Sequence, residues 1–260
     1  MKRLLLGPHA VAEALHAGPR RIAVVYAARE SAEILEAAER AGVRAETRSR
    51  DELDVLARGQ RHQGVVGIAG EYSYTTPEAI LEGAGSPALV VALDQITDPH
   101  NFGAIVRSAV ALGADGLITL RDRAAPVTPA VVRVSAGATE AARIARVVNL
   151  KRALSALREA ELQVVGLDAE GDRTLSEVPY PATGRVLVVG SEGKGLRRGT
   201  RQQCDILARI PLPGPLQSLN ASVAAGIAIH ESVRARRELS DGNQTQDQDQ
   251  EAGAGKEGDD

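Results

Sequence analysis

Asn101, Arg107, Glu192, Ser218 and Asn220 are polar side chains of the types and spacing that could make a reaction site. Two amides, a guanidinium, a carboxylate and a hydroxyl can together orient a polar substrate, stabilise charge and accept a proton. They lie in three glycine-containing loops: DQITDPHNFGAIVRSA (Asp94 to Ala109), GSEGKGLRR (Gly190 to Arg198) and IPLPGPLQSLNASVAAG (Ile210 to Gly226). Asn101 and Arg107 stand six residues apart around the expected start of a helix, whose open N–H groups suit a phosphate. Glu192 is the only carboxylate of its loop, and Gly190, Gly193 and Gly195 admit close backbone approach by a ligand. That loop lacks the G-x-x-x-x-G-K-[ST] spacing, so it is not a phosphate-binding P-loop. Asn101 and Ser218 can equally serve as helix caps. Leu219, Val223 and Ile227 repeat at helical spacing and are expected to pack inward.

Each loop follows a short apolar run. Ala88 to Leu93, Arg185 to Val189 and Asp205 to Arg209 read as buried strands ending at turn residues. Ligands of open α/β sheets sit beyond the carboxyl ends of the strands, so three such loops imply one shared site. Strands at about 88–93, 116–120, 143–148, 163–168, 185–189 and 205–210 alternate with helices at about 102–112, 128–136, 150–160 and 218–238, the pattern of a parallel sheet covered on both faces. Residues 1–70 form a separate small α/β pattern. There Pro8 opens a helix that Gly18 ends, and Ile22 to Tyr26 is a strand. Ser31 caps a helix closed by Gly42, Val43 to Glu46 is a strand, Asp51 to Ala57 a helix, and Val65 to Ala69 a strand. Residues 71–87, with Pro, Gly, Thr and Ser around one short helical stretch, read as a linker between this domain and a second one at 88–238.

The chain carries a net charge of -3, but seven acidic residues and one lysine lie beyond Ser240, so the first 239 residues are net basic. From Ser240 onward there is no Val, Ile, Leu or aromatic residue, and 239–260 is expected to be a disordered acidic tail. Only four of the 31 basic residues are lysines; arginine suits phosphate recognition, although a biased genome also produces such a composition. The single cysteine, Cys204, points to a reducing cytoplasm, and no apolar run approaches the roughly 20 residues of a membrane helix. The apolar stretch of MKRLLLGPHA is too short for a signal peptide. The histidines His9, His16, His62, His100 and His230 show no metal-ligand spacing, and no metal is expected.

The three loop motifs, with GPHAVAEAL and HQGVVGI in the first domain and SLNASVAAGIAIHE in the second, resemble the SpoU/TrmH branch of the SPOUT RNA methyltransferases, and within it the RlmB-type 23S rRNA guanosine 2'-O-methyltransferases. The resemblance covers nearly the whole chain apart from the acidic tail. It implies a C-terminal parallel-sheet domain with a deep trefoil knot, preceded by a small ribosomal-protein-like RNA-binding domain. It also implies a cytoplasmic homodimer that methylates a ribose 2'-hydroxyl of RNA with S-adenosylmethionine (AdoMet), most closely a guanosine of 23S rRNA. It makes Asn101, Arg107, Glu192, Ser218 and Asn220 active-site residues, with Arg107 orienting the ribose and phosphate and assisting deprotonation, and sets the donor against Gly190, Ile210 and Leu219. A guanidinium is a poor base, so proton removal falls to a substrate phosphate or Glu192. In PGPLQSLN two prolines flank the glycine and a Gln precedes the serine, a departure from the family that leaves the loop shape before Ser218 open. Ser135, Gly137 and Glu140 read equally as site-shaping or structural. Arg20, Arg21, Arg58 and Arg61, at turns of the first domain, are placed to meet RNA phosphates. Alternatives are a tRNA or resistance-type rRNA ribose methyltransferase, and a non-catalytic RNA-binding ribosome-assembly factor; the complete polar set argues against the last.

Overall fold

A computed structural model describes residues 3–18 and 21–254, with side chains through residue 240. The first sheet is built from β1 (Arg3–Leu6), β2 (Ile22–Ala27), β3 (Ala45–Thr47) and β4 (Val65–Ala69), in the order β1-β4-β2-β3. α1 (Pro8–Ala17) and α2 (Ala32–Arg40) cover one face, setting Val11, Leu15 and Ala38 against Val25 and Val65. α3 (Arg50–Leu56) covers the other, with Leu53 against Leu6 and Val66. β1 was not expected, because RLLL shows no alternation; pairing with β4 makes it a strand. Ser31 makes no cap bond, whereas Ser49 and Glu52 form a reciprocal capping box at the start of α3.

The second sheet has seven strands: β5 (Ala88–Asp94), β6 (Gly116–Leu120), β7 (Ile144–Val147), β8 (Gln163–Leu167), β9 (Arg173–Thr174), β10 (Gly184–Gly190) and β11 (Ile206–Arg209). Their order is β7-β6-β5-β10-β8-β11-β9, and every neighbouring pair is parallel. The remaining helices are α4 (Pro77–Glu82), α5 (Pro99–Leu112), α6 (Pro129–Val134), α7 (Leu150–Glu159), α8 (Arg198–Arg201) and α9 (Ala221–Ala254). Alternation along β5 explains the layers: Leu89, Val91 and Leu93 join the core under α5, α6 and α9, while Val90 and Ala92 join the one under α4 and α7. Each fully buried leucine contributes about 2 kcal/mol.

α9 departs from expectation twice. It continues past 238 to Ala254, since no proline interrupts a Gln- and Ala-containing stretch that extends a helix already nucleated; residues 255–260 of the expected tail lie outside the described residues. Its inward face is also not Leu219, Val223 and Ile227. Leu219 precedes the helix, Val223 is 50% and Ile227 43% exposed, and the buried positions are Ala221, Ala225, Ala228, Ile229 and Val233. Small residues let α9 lie close on α5 and turn the larger apolar ones outward.

The stretch 71–87 is tied down rather than loose. Ile80 of α4 is fully buried, Tyr72 Oη donates to the Ala142 carbonyl at 2.9 Å, and Tyr74 Oη accepts from the Val127 N–H at 2.8 Å. α6 joins the domains, since Val131 sits in the second domain's core and Val132 in the first's. Beside it Arg3 and Glu140 form a buried ion pair. Gly137, at φ +87°, packs so closely that a Cβ there would stand 2.8 Å from Ala10 Cα. The Ser135 hydroxyl donates to the Val132 carbonyl at 2.9 Å. Ser135, Gly137 and Glu140 therefore build the joint.

Candidate active site

β5 and β10 are neighbours in strict register, Gly190 opposite Asp94, so the first and second loops leave the sheet at the same level. Asp98 caps α5, its carboxylate accepting the N–H groups of His100 (3.1 Å) and Asn101 (3.3 Å), with Pro99 in the first turn. The cap is Asp98, which leaves the Asn101 side chain free to reach across. The second loop folds back on itself, with Ser191 and Gly195 exchanging main-chain hydrogen bonds at 3.1 and 2.9 Å. A side chain at Gly190 would run into the main chain of Gly195 and Leu196, so its missing Cβ serves the loop's own closure. Gly193 and Gly195, at φ +75° and +60°, have open space where a Cβ would stand.

The three loops meet at Glu192. Its Oε2 accepts the Asn101 amide at 3.2 Å and the Asn220 amide at 3.3 Å. Asn220 is also the residue that starts α9, its Oδ1 accepting the Ser222 N–H at 2.9 Å and hydroxyl at 2.6 Å. Two amide donors thus fix an exposed carboxylate through one oxygen and leave the other without a partner among the described residues. Such a group can accept a hydrogen bond, and then a proton, from a hydroxyl placed beside it.

The other expected residues fall into two groups. Ser218 is exposed on the irregular Pro211–Asn220 segment, while Gly190, Ile210 and Leu219 are half-buried at the ends of β10 and β11 and just before α9. Arg107 is exposed on α5 and makes no side-chain hydrogen bond or ion pair among the described residues. At about 100° per residue, six positions turn it roughly 240° from Asn101, so it does not share the face that meets Glu192. His62 is a buried turn residue, Nε2 at 3.0 Å from Asp54 Oδ1 and Nδ1 accepting from the Gly64 N–H.

The sequence reading missed the clasp beneath the site. Asp94, fully buried, accepts the Arg197 N–H at 3.0 Å and the Arg197 guanidinium at 2.7 Å. An acidic residue ending a wholly apolar strand was the available signal. Among the described residues no three His, Cys, Asp or Glu side chains are grouped to hold a metal ion, and no helix is long and apolar enough to cross a membrane.

Comparison with known proteins shows the family. Residues 88–230 match the SpoU rRNA Methylase family, and residues 4–75 match the family described as RNA 2'-O ribose methyltransferase substrate binding. An uncharacterized tRNA/rRNA methyltransferase of Mycolicibacterium vanbaalenii is 49% identical over 72% of this chain, which spans 60% of that relative's length. The 23S rRNA (guanosine-2'-O-)-methyltransferase RlmB of Bordetella pertussis is 41% identical over 90% of this chain and 98% of its own. The crystal structure of the SpoU methyltransferase AviRb from Streptomyces viridochromogenes, in complex with AdoMet, superposes with a TM-score of 0.72 at 29% identity, covering 90% of each chain. With residues 88–230 matched by the family's model and a relative 41% identical over 90% of the chain, the chain belongs to the SpoU rRNA methylase family.

Proposed function

We propose that this protein transfers a methyl group from AdoMet to a ribose 2'-hydroxyl of RNA, and that the substrate is a guanosine of 23S rRNA. The convergence of Asn101 and Asn220 on Glu192 carries the reading, because it sets an oriented acceptor where three loops of a parallel sheet meet. The relative from Bordetella pertussis supports the substrate. In this reading residues 1–70 hold RNA, 88–238 form a catalytic domain with the family's trefoil knot, and the protein is cytoplasmic. The insertion of β10 between the earlier strands β5 and β8 is compatible with that knot.

Gly190, Ile210 and Leu219 fit the donor: they are half-buried and offer apolar surface and main-chain groups at the carboxyl ends of strands. When bound, AdoMet supplies a methyl group on a sulfonium sulfur. With the donor held there, Glu192 or a substrate phosphate would take the proton of the ribose hydroxyl as the methyl group passes from sulfur to oxygen. Asn101 and Asn220 hold the carboxylate still, and Ser218 lies exposed near the same helix start to bind the ribose. Arg107, unpaired among the described residues, orients the ribose and its phosphate. A homodimer is supported by Val223 and Ile227, large apolar side chains that α9 turns outward.

The test is transfer of labelled methyl from AdoMet to unmodified large-subunit rRNA and to tRNA, with mapping of the product. Label on a ribose of the rRNA is expected. Label only in tRNA would overturn the substrate, and donor binding without label in either RNA would overturn the activity.

A further inference from the structure

We propose that the cleft at the domain joint grips a backbone phosphate of the substrate RNA between Arg61 of the small domain and Arg133 of α6; this rests on the reading of the chain as an RNA methyltransferase. The cleft measures about 270 Å³, its polar lining is His9, Arg61, Gln63 and Arg133, and none of the residues lining it is a carboxylate. That is notable in a chain with 34 acidic and 31 basic residues, where other exposed arginines of the small domain, such as Arg48 and Arg50, are ion-paired. Among the described residues Arg61 and Arg133 have no ion-pair partner. The Arg133 guanidinium donates from Nη1 to Gln60 Oε1 at 3.3 Å, a bond that crosses from one domain to the other.

Each wall also contains a non-glycine residue in the left-handed region, Gln63 at φ +50° in the small domain and Ala136 at φ +52° in the second. Such backbone persists where surrounding structure holds it and is enriched at binding sites. Two guanidinium groups without an ion-pair partner among the described residues, in a cleft whose own lining holds no carboxylate, match a phosphodiester, which arginine contacts with its planar fork; Asp54, which shares the lining of the adjoining cleft with Arg61, is engaged by His62. The neighbouring cleft that contains Arg21 does not offer this chemistry, since Glu13 and Glu140 line it as well.

The location gives the contact a purpose. Val134, next to Arg133, packs against α5 at Gly103, where a Cβ would stand 2.8 Å from Val134 Cβ. The cleft is therefore one helix away from the loop that carries Asn101. A phosphate held there fixes how far along the RNA the methylated ribose lies from the segment bound by the small domain, so the contact positions the substrate.

The test compares binding of unmodified large-subunit rRNA to the full-length protein, to the Arg61→Ala/Arg133→Ala double variant, and to Arg152→Ala, a surface change on α7 across the sheet. The double variant should bind about tenfold or more weaker at moderate salt, with the slope of log affinity on log salt reduced by roughly two. AdoMet affinity and thermal midpoint should match the wild type, which excludes misfolding as the cause. Double-variant binding and salt slope equal to the wild type, with wild-type methyl transfer intact, would overturn the cleft and leave the proposed function standing. A loss in log affinity no more than about twice that of Arg152→Ala would do the same, since the double variant removes two charges and the control one, and net charge alone would then account for it. A wild type that binds no rRNA would overturn both.

Discussion

Asp94 and Arg197 lock two loops of the site together, the buried carboxylate holding both the main-chain N–H and the guanidinium of its partner at 2.6 to 3.0 Å. The two partners are not equivalent, because Asp94 is wholly buried and the Arg197 side chain is 42% exposed. Arg197→Met would strand a carboxylate without a counter-charge, whereas Asp94→Asn releases a guanidinium that water can solvate. The expected loss is about 3 kcal/mol for the first and about 1 to 2 kcal/mol for the second. Urea unfolding checks the order, and equal or inverted losses would mean that the clasp does not set loop stability.

Glu192→Gln keeps the size of the side chain and removes its capacity to take a proton. Methyl transfer should fall by about 10²- to 10⁴-fold if Glu192 is the base, with AdoMet affinity within a few-fold. Asn101→Ala and Asn220→Ala should each cost less, and their effects should not add, since both amides act on one oxygen. A fully active Glu192→Gln enzyme would assign the proton to the substrate phosphate.

Arg107→Ala should abolish transfer while leaving AdoMet affinity within a few-fold, because its guanidinium has no partner among the described residues. Single-turnover kinetics with donor titration separates the two quantities. A large loss of donor affinity with normal residual turnover would assign Arg107 to the donor instead.

The joint between domains should be sensitive out of proportion to its size. Glu140→Gln leaves Arg3 buried without a counter-charge and should cost about 3 to 5 kcal/mol. Gly137→Ala adds a left-handed strain of about 1 to 3 kcal/mol and a contact with Ala10. Calorimetry should show the wild-type transition shifted down in both; an unchanged melting profile would remove the joint from the stability account.

Burial, with the charges of Asp205, Asp168 and Asp94 adding to it, pushes the Cys204 thiol up to about 12. An unfolded chain releases this proton near the ordinary value of 9.0, so the unfolded state binds fewer protons above that pH and stability falls between about 9 and 12. Below pH 9 both states keep the proton and no effect is expected. Cys204→Ala should flatten the alkaline limb of stability against pH, read by urea midpoints. An unchanged limb would trace the loss to other groups.

The apolar strands and their loops were legible because buried parallel strands leave short runs of Val, Leu and Ile ended by turn residues. β5, β6 and β10 fall within about a residue of where composition places them. β1 was not legible, since its strand character comes from β4. The outward turn of Val223 and Ile227 was hidden for a different reason: periodicity shows that α9 has two faces, and only the closeness of α5 decides that the alanine face goes in. At the candidate site, residue types singled out Asn101, Glu192 and Asn220, but nothing in one dimension shows that the two amides share one oxygen. Asp94 was passed over because a terminal acid reads as a turn residue until Arg197 is seen beside it.

α6 contributes adjacent valines, Val131 and Val132, to two different cores. The two modules are for that reason poor candidates for recombination. A fragment cut at residue 88 would present Val132 and the surface around Gly137 to water, and a foreign RNA-binding module grafted in front of it would meet a helix shaped for α1 and β1. Changing the RNA that this scaffold addresses is easier by substitution within the small domain than by exchanging it whole.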